Sequence, residues 1–194
     1  RLMRMSRPSP VLDANAPRMT LAEWAALSED EPGELVDGRL VEEEVPDLLH
    51  ESTVSWLIGV LRGWLIARGG FVFGSEARFA VSEARGRKPD VSFYLPGARL
   101  ARRGAVRVPP YVAIEVVSAT RCDRRRDRVE KPDDYARFGI RYYWIVDPEA
   151  RTVEMFELGS DGRYVRALAA AGGVLADVPG CEGLTLELDS LWAE

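Results

Sequence analysis

The chain has 194 residues, 46% hydrophobic and 29% charged, with a formal net charge of -5. That balance predicts a soluble globular protein with one sizeable core, and it excludes a disordered composition and broad coating of nucleic acid by bulk positive charge. Two cysteines, Cys122 and Cys181, make no disulfide framework and point to a reducing, cytoplasmic setting, while the lack of a bilayer-length apolar run or a signal-peptide core argues against a membrane partner.

Residues 1–18 are rich in proline and arginine without periodicity and are expected to be a flexible lead-in to a single domain over 19–194. Thr20-Leu21-Ala22-Glu23 reads as a capping box opening a short helix, with Leu21, Trp24 and Leu27 on one face. Glu34-Leu35-Val36 and Arg39-Leu40-Val41 flank Asp37-Gly38, which supplies the positive φ angles of a tight hairpin turn. From about Leu48 to Ala67 the stripe Val54, Leu57, Ile58, Leu61, Trp64 and Leu65 has helical spacing, closed by Gly69-Gly70. Phe71–Phe73 and Ala77–Val81 are strand candidates expected to form a second hairpin, and Arg85-Gly86-Arg87 is expected to be a turn. Leu95 to Pro110 is a basic loop. Pro132 to Phe138 reads as a helix closed by Gly139, and Tyr142 to Val146 as a buried strand stopped by Asp147-Pro148. Thr152–Leu158 and Tyr164–Leu168 make a hairpin, and Leu184, Leu186 and Leu188 alternate near the C-terminus.

Chemistry concentrates between Lys88 and Lys131. Tyr111-Val112-Ala113-Ile114-Glu115-Val116-Val117 is apolar on both faces, so it belongs inside a covered sheet, with Glu115 in its centre. A buried unpaired carboxylate costs several kcal/mol on the order of a whole folding margin, so Glu115 needs a cationic partner. Asp90 follows Pro89 and leads into the strand-like Val91-Ser92-Phe93-Tyr94. Two carboxylates at the ends of neighbouring core strands can share one hard cation, and Mg²⁺ takes one or two carboxylates with waters and phosphate oxygens. The chain has two lysines, Lys88 and Lys131, against 24 arginines, and both lie beside these acids in sequence. Where arginine is the default cation, a lysine suits a place that needs a compact point charge.

Taken in order, these segments resemble the Uma-type restriction-endonuclease family, a branch of the PD-(D/E)XK nuclease superfamily. The carriers are Thr20-Leu21-Ala22-Glu23, Glu34-Leu35-Val36-Asp37-Gly38, His50, Pro89-Asp90-Val91 and Glu115-Val116-Val117-Ser118. They continue with Asp127, Lys131, Tyr135, Gly139 and Tyr143-Trp144-Ile145-Val146-Asp147-Pro148. The resemblance implies an α/β (α+β) fold: a restriction-endonuclease-like core with a central mixed β-sheet flanked by helices, and additional N-terminal and C-terminal hairpins. It makes Asp90 and Glu115 the motif acids. In the wider superfamily the lysine stands two residues after the glutamate, a position that is Val117 here. The family resemblance moves that lysine to the following helix, at Lys131. Glu34 and His50 become candidates for the edge of the site.

The expected activity is Mg²⁺-dependent endonucleolytic hydrolysis of DNA phosphodiester bonds, with Mn²⁺ able to substitute. Asp90, Glu115 and the Val116 carbonyl would hold the metal, and Lys131 would orient the attacking water or stabilise developing charge. Arg124, Arg125 and Arg128 are candidate phosphate contacts, which position a duplex without reading its sequence. The resemblance also implies a homodimer. Two alternatives stand beside this reading. One is a non-catalytic nucleic-acid-binding or structural module on the same fold, whose acids merely close ion pairs. The other is a nuclease for RNA or unusual DNA structures.

Overall fold

Thr20 caps the first helix, α1 (Leu21–Ala25): its hydroxyl accepts the Glu23 N–H, and the Glu23 carboxylate accepts the Thr20 N–H at 2.7 Å. This short helix holds because Trp24 is wholly buried and donates its indole N–H to the Gly33 carbonyl at 3.0 Å. The structure, a computed structural model, describes residues 18–28, 31, 33–41, 46–117 and 126–193. The expected lead-in, apart from Arg18, lies outside these residues, as do Cys122, Arg124 and Arg125.

The Asp37-Gly38 hairpin forms as expected. β1 (Glu34–Val36) pairs with β2 (Arg39–Val41), and the turn residues take φ of 51° and 77°. α2 (Leu48–Ile66) follows, with Asp47 as its N-cap accepting from the His50 N–H at 2.8 Å. Next come β3 (Phe71–Gly74), β4 (Phe79–Ser82), β5 (Arg85–Arg87), β6 (Val91–Tyr94) and β7 (Val112–Val116). A wide, π-type turn over Arg126–Glu130 runs into α3 (Lys131–Phe138), which ends on Gly139 at φ 91°. β8 (Tyr142–Asp147), β9 (Thr152–Leu158), β10 (Tyr164–Ala170), β11 (Val174–Leu175), β12 (Leu186–Glu187) and α4 (Leu188–Leu191) complete the chain. Among the described residues, no helix is long and apolar enough to cross a membrane.

The main sheet has six strands in the order β10-β9-β8-β7-β6-β3, and a smaller one has the order β2-β1-β5-β4. β7 lies parallel to β8 and antiparallel to β6, so the main sheet is mixed. Strand alternation divides β7 between two cores. Val112, Ile114 and Val116 pack with Leu57, Leu61 and Leu65 of α2, whereas Ala113 and Val117 pack with Tyr135 of α3. Helices on both faces explain why this strand reads as a continuous apolar run.

Two sequence expectations are corrected. Phe71–Phe73 and Ala77–Val81 do not form a hairpin: β3 pairs with β6 in the main sheet, whereas β4 pairs with β5 in the small one. Local spacing could not see these long-range partners. Arg85-Gly86-Arg87 is a strand, not a turn, and pairs with β1 as well as β4. Its glycine serves close approach rather than turning. A Cβ on Gly86 would lie 2.2 Å from the Trp24 ring.

Gly86→Ala therefore drives a methyl group into a buried indole and loosens the strand that carries Arg87. Urea denaturation of this variant should give a loss of about 1–3 kcal/mol.

Candidate active site

β6 begins one residue after Asp90, so the β6–β7 ladder ends at the Val91–Ile114 pair. The Asp90 carboxylate takes over from there: its Oδ2 accepts the Val116 N–H at 2.7 Å. Its other oxygen, Oδ1, lies 3.3 Å from His50 Nε2 in the first turn of α2. Burial alone would lower the His50 pKa, but the hydrogen bond and charge of Asp90 outweigh it and hold the imidazole above its usual value. His50 thus joins the site through Asp90.

Glu115 stands on the other face of β7 and is buried. Its Oε2 takes the Lys131 ammonium at 2.7 Å, and its Oε1 accepts the Tyr135 hydroxyl at 2.6 Å. Lys131 opens α3, and its Nζ also lies 3.1 Å from Asp127 Oδ1 and 3.7 Å from Glu34 Oε1. One ammonium therefore faces three carboxylates. Burial would discharge it, but Asp127, Glu115, Glu34 and Asp90 together push its pKa well above the lysine range.

Two of the acids shift toward their neutral form. Burial raises Glu115 well above the carboxylate range, and Asp127, Asp90 and Glu34 add to this against the pull of Lys131. Asp127 is raised by burial first, and Asp90 and Glu34 add to that. Glu34 escapes. Burial would raise it too, but Lys131, Arg87 and the Lys88 N–H hold it below its ordinary value. Arg87 Nη1 lies 2.8 Å from Glu34 Oε2, and the Lys88 N–H donates to Glu34 Oε1 at 2.8 Å.

The structure thus brings together Asp90, Glu115, Lys131, Glu34 and His50. Lys88 contributes its backbone N–H, while its ammonium turns to Glu76 at 3.3 Å. Val116 meets Asp90 through its N–H. Arg128 pairs with Glu154 at the surface, with Asp147 Oδ2 4.0 Å away. Arg124 and Arg125 fall outside the described residues.

Asp127 and Tyr135 had no site role in the sequence reading. Their signal was spacing: Asp127, Lys131 and Tyr135 recur every four residues, the separation that stacks side chains along one helical face. The pair Arg87–Asp134 had no local signal, since its partners lie 47 residues apart.

Among the described residues, no three His, Cys, Asp or Glu side chains converge as a ready-made metal cage. The donor chemistry nonetheless fits a hard divalent ion. Asp90 and Glu115 are oxygen donors in the number Mg²⁺ uses beside water and phosphate. Burial first, and the neighbouring acids second, disfavour the charged forms of Glu115 and Asp127, and a bound cation would favour them.

The sequence pattern of the Uma2 family, described as "Putative restriction endonuclease", matches residues 20–189. Among solved structures, the chain is similar to one from Anabaena variabilis described as a "putative nuclease belonging to DUF820". The two share 18% identity and a TM-score of 0.68, over 90% of this chain and 97% of the other. That likeness is one of fold. No curated protein matches the chain.

The electrostatics of Glu34 can be tested by pH. Its folded pKa is depressed, so its charge contributes stability that is present above the unfolded value of about 4.3 and lost as pH falls through the folded value. Glu34→Gln should cost about 3 kcal/mol at neutral pH. The gap between variant and parent should narrow as denaturation is repeated below about pH 4. A gap that does not change with pH would contradict a charged Glu34.

Proposed function

Because the chain belongs to the Uma2 family, we propose that it is a Mg²⁺-dependent endonuclease hydrolysing phosphodiester bonds in DNA. The observation that carries this reading is the cluster at one end of β6 and β7, where Asp90 is anchored on the Val116 N–H next to Glu115 and the Lys131 ammonium lies 2.7 Å from Glu115. Asp90 and Glu115 would hold the ion, with the Val116 carbonyl as a further ligand, and Mn²⁺ would substitute. Such an ion, when bound, polarises the scissile phosphate and lowers the pKa of a water.

The chain's own groups do the rest. Tyr135 fixes one oxygen of Glu115 and Lys131 the other, so the carboxylate is oriented before substrate arrives. The longest ammonium contact of Lys131, 3.7 Å to Glu34, is the one most readily exchanged for a water or phosphate oxygen. His50 holds the outer oxygen of Asp90. Arg128, with Arg124 and Arg125, contacts backbone phosphates, Arg128 exchanging Glu154 for phosphate.

A second reading draws on a specific fact: both Glu115 oxygens are already engaged, so the acids could simply close their own ion pairs in a non-catalytic module. Metal separates the two. A metal site raises Tm in Mg²⁺ or Mn²⁺, and a closed set of ion pairs does not respond.

Asp90→Ala and Glu115→Ala should each lose the metal-dependent rise in Tm and about 100-fold or more in plasmid cleavage. Lys131→Ala should lose similar turnover and keep the rise in Tm, because lysine is not a metal ligand. Full cleavage by either acid variant overturns the assignment.

Neutralising Arg124, Arg125 and Arg128 should weaken DNA binding and flatten the plot of log affinity against log salt, by about one unit for each phosphate that is no longer neutralised. An unchanged slope returns them to a solvated face.

A further inference from the structure

Arg87 is wholly buried, whereas the other described arginines are partly or fully exposed, and it is used twice. Its Nε donates to Asp134 Oδ2 at 2.8 Å, with Nη2 2.6 Å from the same oxygen, and its Nη1 reaches Glu34 Oε2 at 2.8 Å. Asp134 Oδ1 takes Arg85 Nη1 at 3.0 Å, and Arg85 continues to Asp37 at 2.9 Å. The guanidinium therefore joins β1, β5 and α3. Asp134 sits three residues after Lys131 on α3, and Glu34 stands 3.7 Å from the Lys131 ammonium.

We propose that Arg87 and Asp134 are positioning residues that set where the Lys131 ammonium stands. Stability alone does not account for the pair. Burying ions costs on the order of several kcal/mol each, and an apolar replacement of such pairs is often neutral or stabilising. What apolar packing cannot supply is a fixed distance and angle between the β1–β2 hairpin and α3. A rigid guanidinium that donates to Asp134 on one side and to Glu34 on the other supplies both. It holds Glu34 as the third carboxylate around Lys131, and it holds the turn of helix on which Lys131 is mounted. The same strand then runs through Lys88 and Pro89 into Asp90, so the clamp also fixes the approach of the first acid.

This inference rests on the nuclease reading for its catalytic consequence, but not for its geometry, and the test separates the two. The chain has two lysines. Protein made with isotope-labelled lysine thus gives two side-chain ammonium signals by NMR, assigned with a Lys88→Arg variant. In Asp134→Asn, an isosteric change, the Lys131 ammonium protons should exchange with water about tenfold faster than in the parent. Turnover should fall about tenfold while KM and the metal-dependent rise in Tm stay unchanged. Asp134→Asn combined with Lys131→Ala should cleave no worse than Lys131→Ala alone, because both act through one group. A merely structural role would instead add its loss to that of Lys131→Ala.

Folded Asp134→Asn protein with parental ammonium exchange overturns the clamp. If Asp134→Asn does not fold, Arg85→Gln takes its place, loosening Asp134 from the partly exposed end. About threefold faster exchange supports the clamp there, and unchanged exchange overturns it. A parent protein that cleaves nothing overturns the nuclease reading, and the exchange rates still decide the clamp.

Discussion

A single buried ammonium holds the molecule's separate parts to one another. Lys131 meets Glu115 from the main sheet, Glu34 from the small sheet and Asp127 from the wide turn before its own helix. Each of these acids would be costly to bury alone, and so would the lysine. Together they tolerate burial, but unevenly. Lys131 and Arg87 together stabilise the charged form of Glu34, while burial outweighs the pull of Lys131 on Glu115 and Asp127.

Legibility in the sequence followed the range of the interaction. The capping box, the Asp37-Gly38 turn, the stripe of α2 and the Gly139 stop are decided within a few residues, and each forms where the local pattern places it. β7 was legible for a different reason. Its cover on both faces is written directly into its composition. β3 and β4 were misjoined because nearness in sequence says nothing about which of two sheets a strand enters. Arg85-Gly86-Arg87 looked like a turn because the indole that demands a glycine there comes from Trp24, far upstream. At the site, Asp90, Glu115 and Lys131 could be picked out by residue type and order. The Arg87–Asp134 fork could not, since neither residue is unusual until both are seen in one interior.

Asp90, a candidate for chemistry, has a part in the fold that can be seen directly. Its Oδ2 caps a backbone N–H that β6 is too short to reach, so the carboxylate is anchored by the ladder it terminates. His50 constrains the remaining oxygen from the helix on the other side. An acid held this way has little rotational freedom left to lose to any ligand, which is preorganisation. The arrangement also means that Asp90→Ala strips a backbone N–H of its partner, so part of any effect of that change is structural.

Val117 lies two residues beyond Glu115, just past the end of β7, and is packed against Tyr135 in the core under α3. The ammonium beside Glu115 is delivered by a helix instead, and this position is an ordinary hydrophobic contact. Its demands are those of any core position, volume above all. Glu115 and Lys131 stand 16 residues apart in sequence and 2.7 Å apart in space, so a detector built on three-dimensional adjacency would find the pair where a string match would not.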